Sequence, residues 1–114
     1  MSRRPLRWLL LLGLLGSGLA AAEAPPRILR LDAPDLRDEA YRTQAAALLA
    51  EDDARRERDV RVEVRFGARA FRLQLIGRDG GVKLEASRPV APREIWALID
   101  AMPMRQAERR ESAR

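Results

Sequence analysis

The chain has 114 residues, enough for one domain, with 22 basic and 17 acidic side chains, a net charge of +5, and neither cysteine nor histidine. Lacking both thiol and imidazole, it is excluded from disulfide bonding, thiol redox chemistry, serine–histidine and cysteine–histidine nucleophile pairs and the usual zinc sites. Removing residues 1–22 takes away three arginines and no acid, leaving 19 basic against 17 acidic residues, so the positive balance gives no clustered basic face with interleaved aromatics and no nucleic-acid partner is expected.

In chain order, Arg3, Arg4 and Arg7 precede or border the apolar run Leu6 to Leu15 (LRWLLLLGLL). Gly16-Ser17-Gly18 then leads to Ala20-Ala21-Ala22, an A-x-A pattern before Glu23. A positive head, an apolar middle and a small-residue site predict a signal peptide over residues 1–22 and a periplasmic or secreted destination. The alternatives are an inner-membrane anchor formed by residues 6–22 and an organelle transit peptide, although the apolar stretch is short and glycine-rich for a spanning helix. Without cysteine, lipoprotein attachment is excluded.

Residues 23–26 (EAPP) read as a linker, and residues 27–105 as the folded domain. Arg27 to Leu31 is a predicted strand, closed by Asp32-Ala33-Pro34-Asp35. Asp35 is placed to cap a helix, with Asp38 and Glu39 in its first turn, and Tyr41, Ala45, Leu48 and Leu49 form its apolar stripe. This helix is expected to fray through the charge run Glu51 to Arg56. Val60, Val62, Val64 and Phe66 alternate with Arg61, Glu63 and Arg65, a half-buried strand. Phe71, Leu73 and Leu75 alternate likewise, and Asp79-Gly80-Gly81 supplies a tight turn before Val82-Lys83-Leu84-Glu85. Pro92 suits a first helical turn, Ile95, Trp96, Leu98 and Ile99 form a stripe, and Pro103 stops the helix. Residues 106–114 read as a polar tail, frayed or disordered. The order is strand, helix, strand, strand, strand, helix. With a polar face on each later strand, helices are expected to cover mainly one face of a four-stranded sheet.

Two stretches, LIGRDGGVKL (Leu75 to Leu84) and ALIDAMPMR (Ala97 to Arg105), resemble the C-terminal half of the Domain of Unknown Function 4174 family, small exported bacterial proteins related to a domain of some animal extracellular matrix proteins. Upstream, LDAPDLRDEAYRTQ (Leu31 to Gln44) is similar to that family's first strand-to-helix junction. The resemblance implies an α/β, thioredoxin-like and peroxiredoxin-related fold without an established activity. The junction that carries a reactive cysteine in thioredoxin relatives is here Asp32-Ala33-Pro34-Asp35, which rules out their usual redox catalysis. Such a sheet also needs a crossover between its second and third core strands, whereas only Gly67-Ala68-Arg69 separates Phe66 from Ala70. A link this short is of hairpin length. Either 60–66 pairs directly with 70–76, which the link length favours, or the domain is a trimmed thioredoxin-like fold.

Three features are candidate sites. Asp79, Gly80 and Gly81 with Lys83 could present amides and an ammonium to a small anion, although such a turn also serves simply as a hairpin turn. Lys83 is the only lysine beside 21 arginines. Asp32, Asp35, Asp38 and Glu39 could hold a hard cation, although capping accounts for them. Met102-Pro103-Met104-Arg105 places two flexible thioethers around a proline, a corner for a protein partner or a plug for the core. The arginine pairs Arg55-Arg56 and Arg109-Arg110 read as solvated helix faces. No cofactor is implied, and paired-carboxylate glycoside hydrolysis lacks the aromatic platforms it needs. The preferred reading is a non-catalytic periplasmic binding or interaction module, with an envelope protein as partner and membrane contact only through an uncleaved leader. The alternatives are an acid-dependent hydrolase, a peroxiredoxin-like enzyme acting without a thiol, or a small-anion-binding protein.

Overall fold

Alternating apolar and polar side chains build four strands: β1 (Arg27–Ala33), β2 (Val60–Phe66), β3 (Arg72–Ile76) and β4 (Val82–Ala86). The protein was analysed as a computed structural model that describes residues 24–114, and the expected leader lies outside them. Four helices accompany the sheet: α1 (Glu39–Leu49), α2 (Asp52–Glu57), α3 (Pro92–Asp100) and α4 (Pro103–Ser112). Among the described residues no helix is long and apolar enough to cross a membrane.

The strand order is β2-β1-β3-β4, with β1 parallel to β2 and antiparallel to β3, and β3 antiparallel to β4. The domain is thus a small α/β unit with a mixed sheet. Direct pairing of 60–66 with 70–76 does not occur, because β1 lies between them. The reason is local. The link runs from Gly67 to Phe71, and two strand spacings are only roughly 10 Å, well within reach of five extended residues. Gly67 turns the chain with φ +94°, and the amides of Gly67 and Ala68 donate to Pro34 and Ala33 carbonyls over the end of β1. Phe71 then buries itself in the core.

Directly paired residues share a face. Leu29 pairs with Leu75 and Leu31 with Leu73, while Leu75 and Leu73 pair with Leu84 and Ala86, so one face carries the apolar set. Leu48 of α1 and Ile95, Trp96 and Ile99 of α3 join it in a single core. Each fully buried aliphatic side chain there contributes about 1.5–3 kcal/mol. The other face carries ion pairs: Arg65 and Arg72 on Asp32, Arg72 on Glu85, and Arg30 on Glu63.

Several local expectations change. The α1 stripe is Tyr41, Gln44 and Leu48, whereas Leu49 is 76 % exposed, because one position beyond Leu48 lies about 100° further round the helix. The charge run does not fray: it forms α2, with acids in its first turn, arginines in its last, and Asp52 paired to Arg55 and Arg56. Arg55 is not simply solvated, since it also donates to the Val60 carbonyl. Pro103 both follows α3 and opens α4, where its missing amide costs nothing, so residues 106–112 continue a helix.

Candidate functional site

The turn between β3 and β4 and the corner between α3 and α4 meet. Gly77, Arg78, Asp79 and Lys83 from the first, Met102, Pro103 and Met104 from the second, and Arg27 at the start of β1 line one cavity of about 260 Å³. Met102 packs against the core, while Met104 stands about half exposed at the cavity. The corner therefore splits into one plug and one free thioether.

The turn is closed upon itself. Gly80, at φ +85°, donates to the Gly77 carbonyl, and the Gly81 amide donates to Asp79 Oδ1 at 2.9 Å. Lys83 Nζ lies 2.9 Å from Asp79 Oδ2. The Gly81 amide, and after it the Lys83 ammonium, hold the Asp79 carboxyl below its ordinary range. The Gly81 amide and the Lys83 ammonium, expected to face a small anion, thus both engage the carboxylate of Asp79.

Behind the cavity lies a network of arginines and acids. Arg27 is 1 % exposed, donates to the Arg58 carbonyl at 2.7 Å and pairs with Glu108 at 3.0 Å. Its Nε is buried without a hydrogen-bond partner. Arg78 reaches Glu108 at 2.8 Å, Asp59 at 2.9 Å and the Pro25 carbonyl. Burial alone would raise the Glu108 carboxyl, but hydrogen bonds from Arg78 and Arg27 outweigh it and hold it low. The Arg58 guanidinium lowers Asp100 against opposing burial, and Arg105 adds to that effect. Arg105 is buried between Asp100 and Glu57, so it belongs to this network and not to an open partner surface.

The acidic residues at the first junction do not converge. Asp32 lies on the ion-paired sheet face, where the Arg65 hydrogen bond lowers its carboxyl against the opposing effect of burial. Asp35 accepts from the Arg37 amide, and Asp38, not Asp35, caps α1 through the Tyr41 amide. Glu39 occupies the first turn of α1. Among the described residues no group of three or more His, Cys, Asp or Glu side chains is placed to hold a metal.

Sequence reasoning missed Arg27, Arg78 and Glu108. Arg27 had a signal: it shares strand parity with Leu29 and Leu31, so a charged group on the buried face demands an acid partner. Glu108, lying 81 residues away from it, had none. Gln44 was also missed. It is fully buried and exchanges two hydrogen bonds with the Val90 backbone, at 2.8 and 2.9 Å, tying α1 to the segment before α3.

Residues 60–108, from β2 into α4, match the model of a family described as Domain of unknown function (DUF4174). Both C-terminal motifs and all cavity residues except Arg27 fall inside that span, whereas the β1–α1 junction precedes it. No curated protein and no solved structure matches the chain.

Proposed function

We propose that this chain is an exported, non-catalytic binding module with a trimmed thioredoxin-like domain, which seats an apolar side chain of an envelope protein in the cavity beside Met104. One observation carries the reading: two motifs separate in sequence line one cavity. At about 260 Å³ it is smaller than the roughly 300–1,000 Å³ typical of drug-sized or cofactor ligands. A single side chain of a partner suits it better. Met104 adds an unbranched, polarizable wall that adapts to different shapes. The ion-paired sheet face is the weaker docking surface, because a partner would have to desolvate charges that already satisfy one another.

Topology supports the thioredoxin-like part. β1 and β2 run parallel around a helical connection, and an antiparallel β3–β4 hairpin leads into α3. The short Gly67–Phe71 link replaces the crossover that the resemblance implies, leaving the second sheet face without a helix among the described residues. Export is supported by the basic, apolar and A-x-A succession of residues 1–22.

The test is site-specific photo-crosslinking in the native cell envelope of the full-length protein. A crosslinker replacing Met104 is expected to give one discrete adduct, and the same probe at Thr43 on α1 none. Pro103→Asp should abolish the adduct while Tm stays unchanged. Adducts equal at both positions, or indifferent to Pro103→Asp, would overturn the site. The mature N-terminus read from the same sample is expected at Glu23, and an intact Met1 would overturn cleavage.

A further inference from the structure

The two edges of the sheet are finished differently. β4 is five residues long, meets β3 across a register irregularity at Leu75/Ile76 and carries Lys83, all features that discourage edge pairing. β2 is seven residues long (VRVEVRF) and has no proline, glycine or lysine. It does carry Arg61, Glu63 and Arg65, but these alternate in sign and lie on the ion-paired face, so this long edge without proline or bulge is a template for a strand whose charges match them.

Backbone direction tells which groups it offers. The Asp59 carbonyl accepts from the Arg27 amide, and the Gly67 amide donates to Pro34, so the odd-numbered residues of β2 face β1. Backbone groups alternate along a strand, so Val60, Val62, Val64 and Phe66 face outward. Arg55 already occupies the Val60 carbonyl at 2.6 Å, leaving Val62, Val64 and Phe66 as the open row among the described residues. The side chains of the same three are also exposed on the helix side, Phe66 at 46 %. Beside Val62 lies a cavity of about 350 Å³ walled by Leu31, Leu48 and Leu49.

The geometry points to a second copy of this chain as the occupant, β2 against β2 antiparallel about a two-fold axis at Val64. Self-complementarity of charge selects both occupant and register. Centring on Glu63 sets Glu63 opposite Glu63 and Arg61 opposite Arg65, which like-charge repulsion disfavours. Centring on Val62 needs the Val60 carbonyl that Arg55 holds. Centring on Val64 pairs Val64 with itself and Val62 with Phe66, matching outward groups with outward groups. It also places Glu63 of each copy across from Arg65 of the other. Both side chains keep about half their surface free beside their present partners Arg30 and Asp32. The interface is isologous, as a closed dimer requires. Phe66 of the second copy then lies next to Val62, at the mouth of the neighbouring cavity.

The absence of cysteine gives a clean test. At a two-fold centre, paired Cα atoms lie about 5.5 Å apart, inside the roughly 4.4–6.8 Å that a disulfide spans. Single cysteines are placed at Val62, Glu63 and Val64 and oxidised mildly. Val64→Cys is expected to give a covalent dimer, with Glu63→Cys and Val62→Cys largely unlinked. Sedimentation equilibrium of the cysteine-free protein should show a concentration-dependent dimer, which Val64→Lys converts to a monomer of unchanged Tm. A monomer throughout the concentration range would overturn the proposal and leave the edge to a strand of another protein. Equal crosslinking at all three positions would overturn it as random collision. Preferential linkage at Glu63 or Val62 would overturn the register.

Discussion

Replacing Glu108 with alanine removes the acid on which Arg27 and Arg78 converge, at 3.0 and 2.8 Å. Each charge-assisted bond contributes about 1.5–3 kcal/mol, so the pair contributes about 3–6 kcal/mol before screening. Glu108 keeps 32 % of its side chain in solvent, which reduces that figure to about half. Against this, Arg27 is left buried with only the Arg58 carbonyl, and a buried charge stripped of its partner is costly. The expected loss is about 2–3 kcal/mol. For a domain of this size it lowers Tm by about 10–20 °C. Urea unfolding of the full chain measures it, with Glu111→Ala as a control, because Glu111 is exposed and, among the described residues, pairs only with Arg114. That control should stay within about 0.5 kcal/mol. The Glu108 carboxyl is held below its unfolded value, so its contribution is complete above about pH 4.3 and disappears as pH falls through the folded value. The gap between wild type and variant should therefore narrow as pH falls below about 4.3. A Glu108→Ala protein as stable as wild type at pH 7 would refute the reasoning and return residues 106–114 to a loose polar tail.

Gln44→Leu keeps the buried volume but leaves the Val90 amide and carbonyl unpaired, and should cost about 2–4 kcal/mol in urea unfolding; wild-type stability would show that Val90 finds other partners. Gly67→Ala meets no atom within 4 Å, so its cost is the left-handed backbone alone, about 1–2 kcal/mol. Gly77→Ala, whose added carbon would lie 2.7 Å from the flexible Lys83 chain, should cost less than Gly67→Ala; a reversed order of the two melting temperatures would contradict the backbone argument.

Much of the architecture was legible because period-two alternation reports directly on a half-buried strand. β2, β3 and β4 begin and end within two residues of the expected bounds, and α3 starts at the expected Pro92. The one-sided burial of the sheet followed from the same alternation. The helix at Pro103–Ser112 was hidden because its inward face is ionic, Arg105 and Glu108, and a polar stripe gives no hydrophobic period. Both halves of the candidate site were visible as unusual motifs, but nothing local said that they share a cavity.

By itself, then, the amino-acid order determined the four strands and the two helices with apolar stripes, α1 and α3, the absence of thiol chemistry and the two motifs, since these depend on side chains within a few residues of one another. Tertiary structure alone decided that β1 separates β2 from β3, that Arg27 meets Glu108 and that the turn faces the methionine corner. Strand order depends on which long-range pairing buries most apolar surface for a given loop, and hairpin-length links permit more than one answer. Here the amides of Gly67 and Ala68, bound to the end of β1, chose between them.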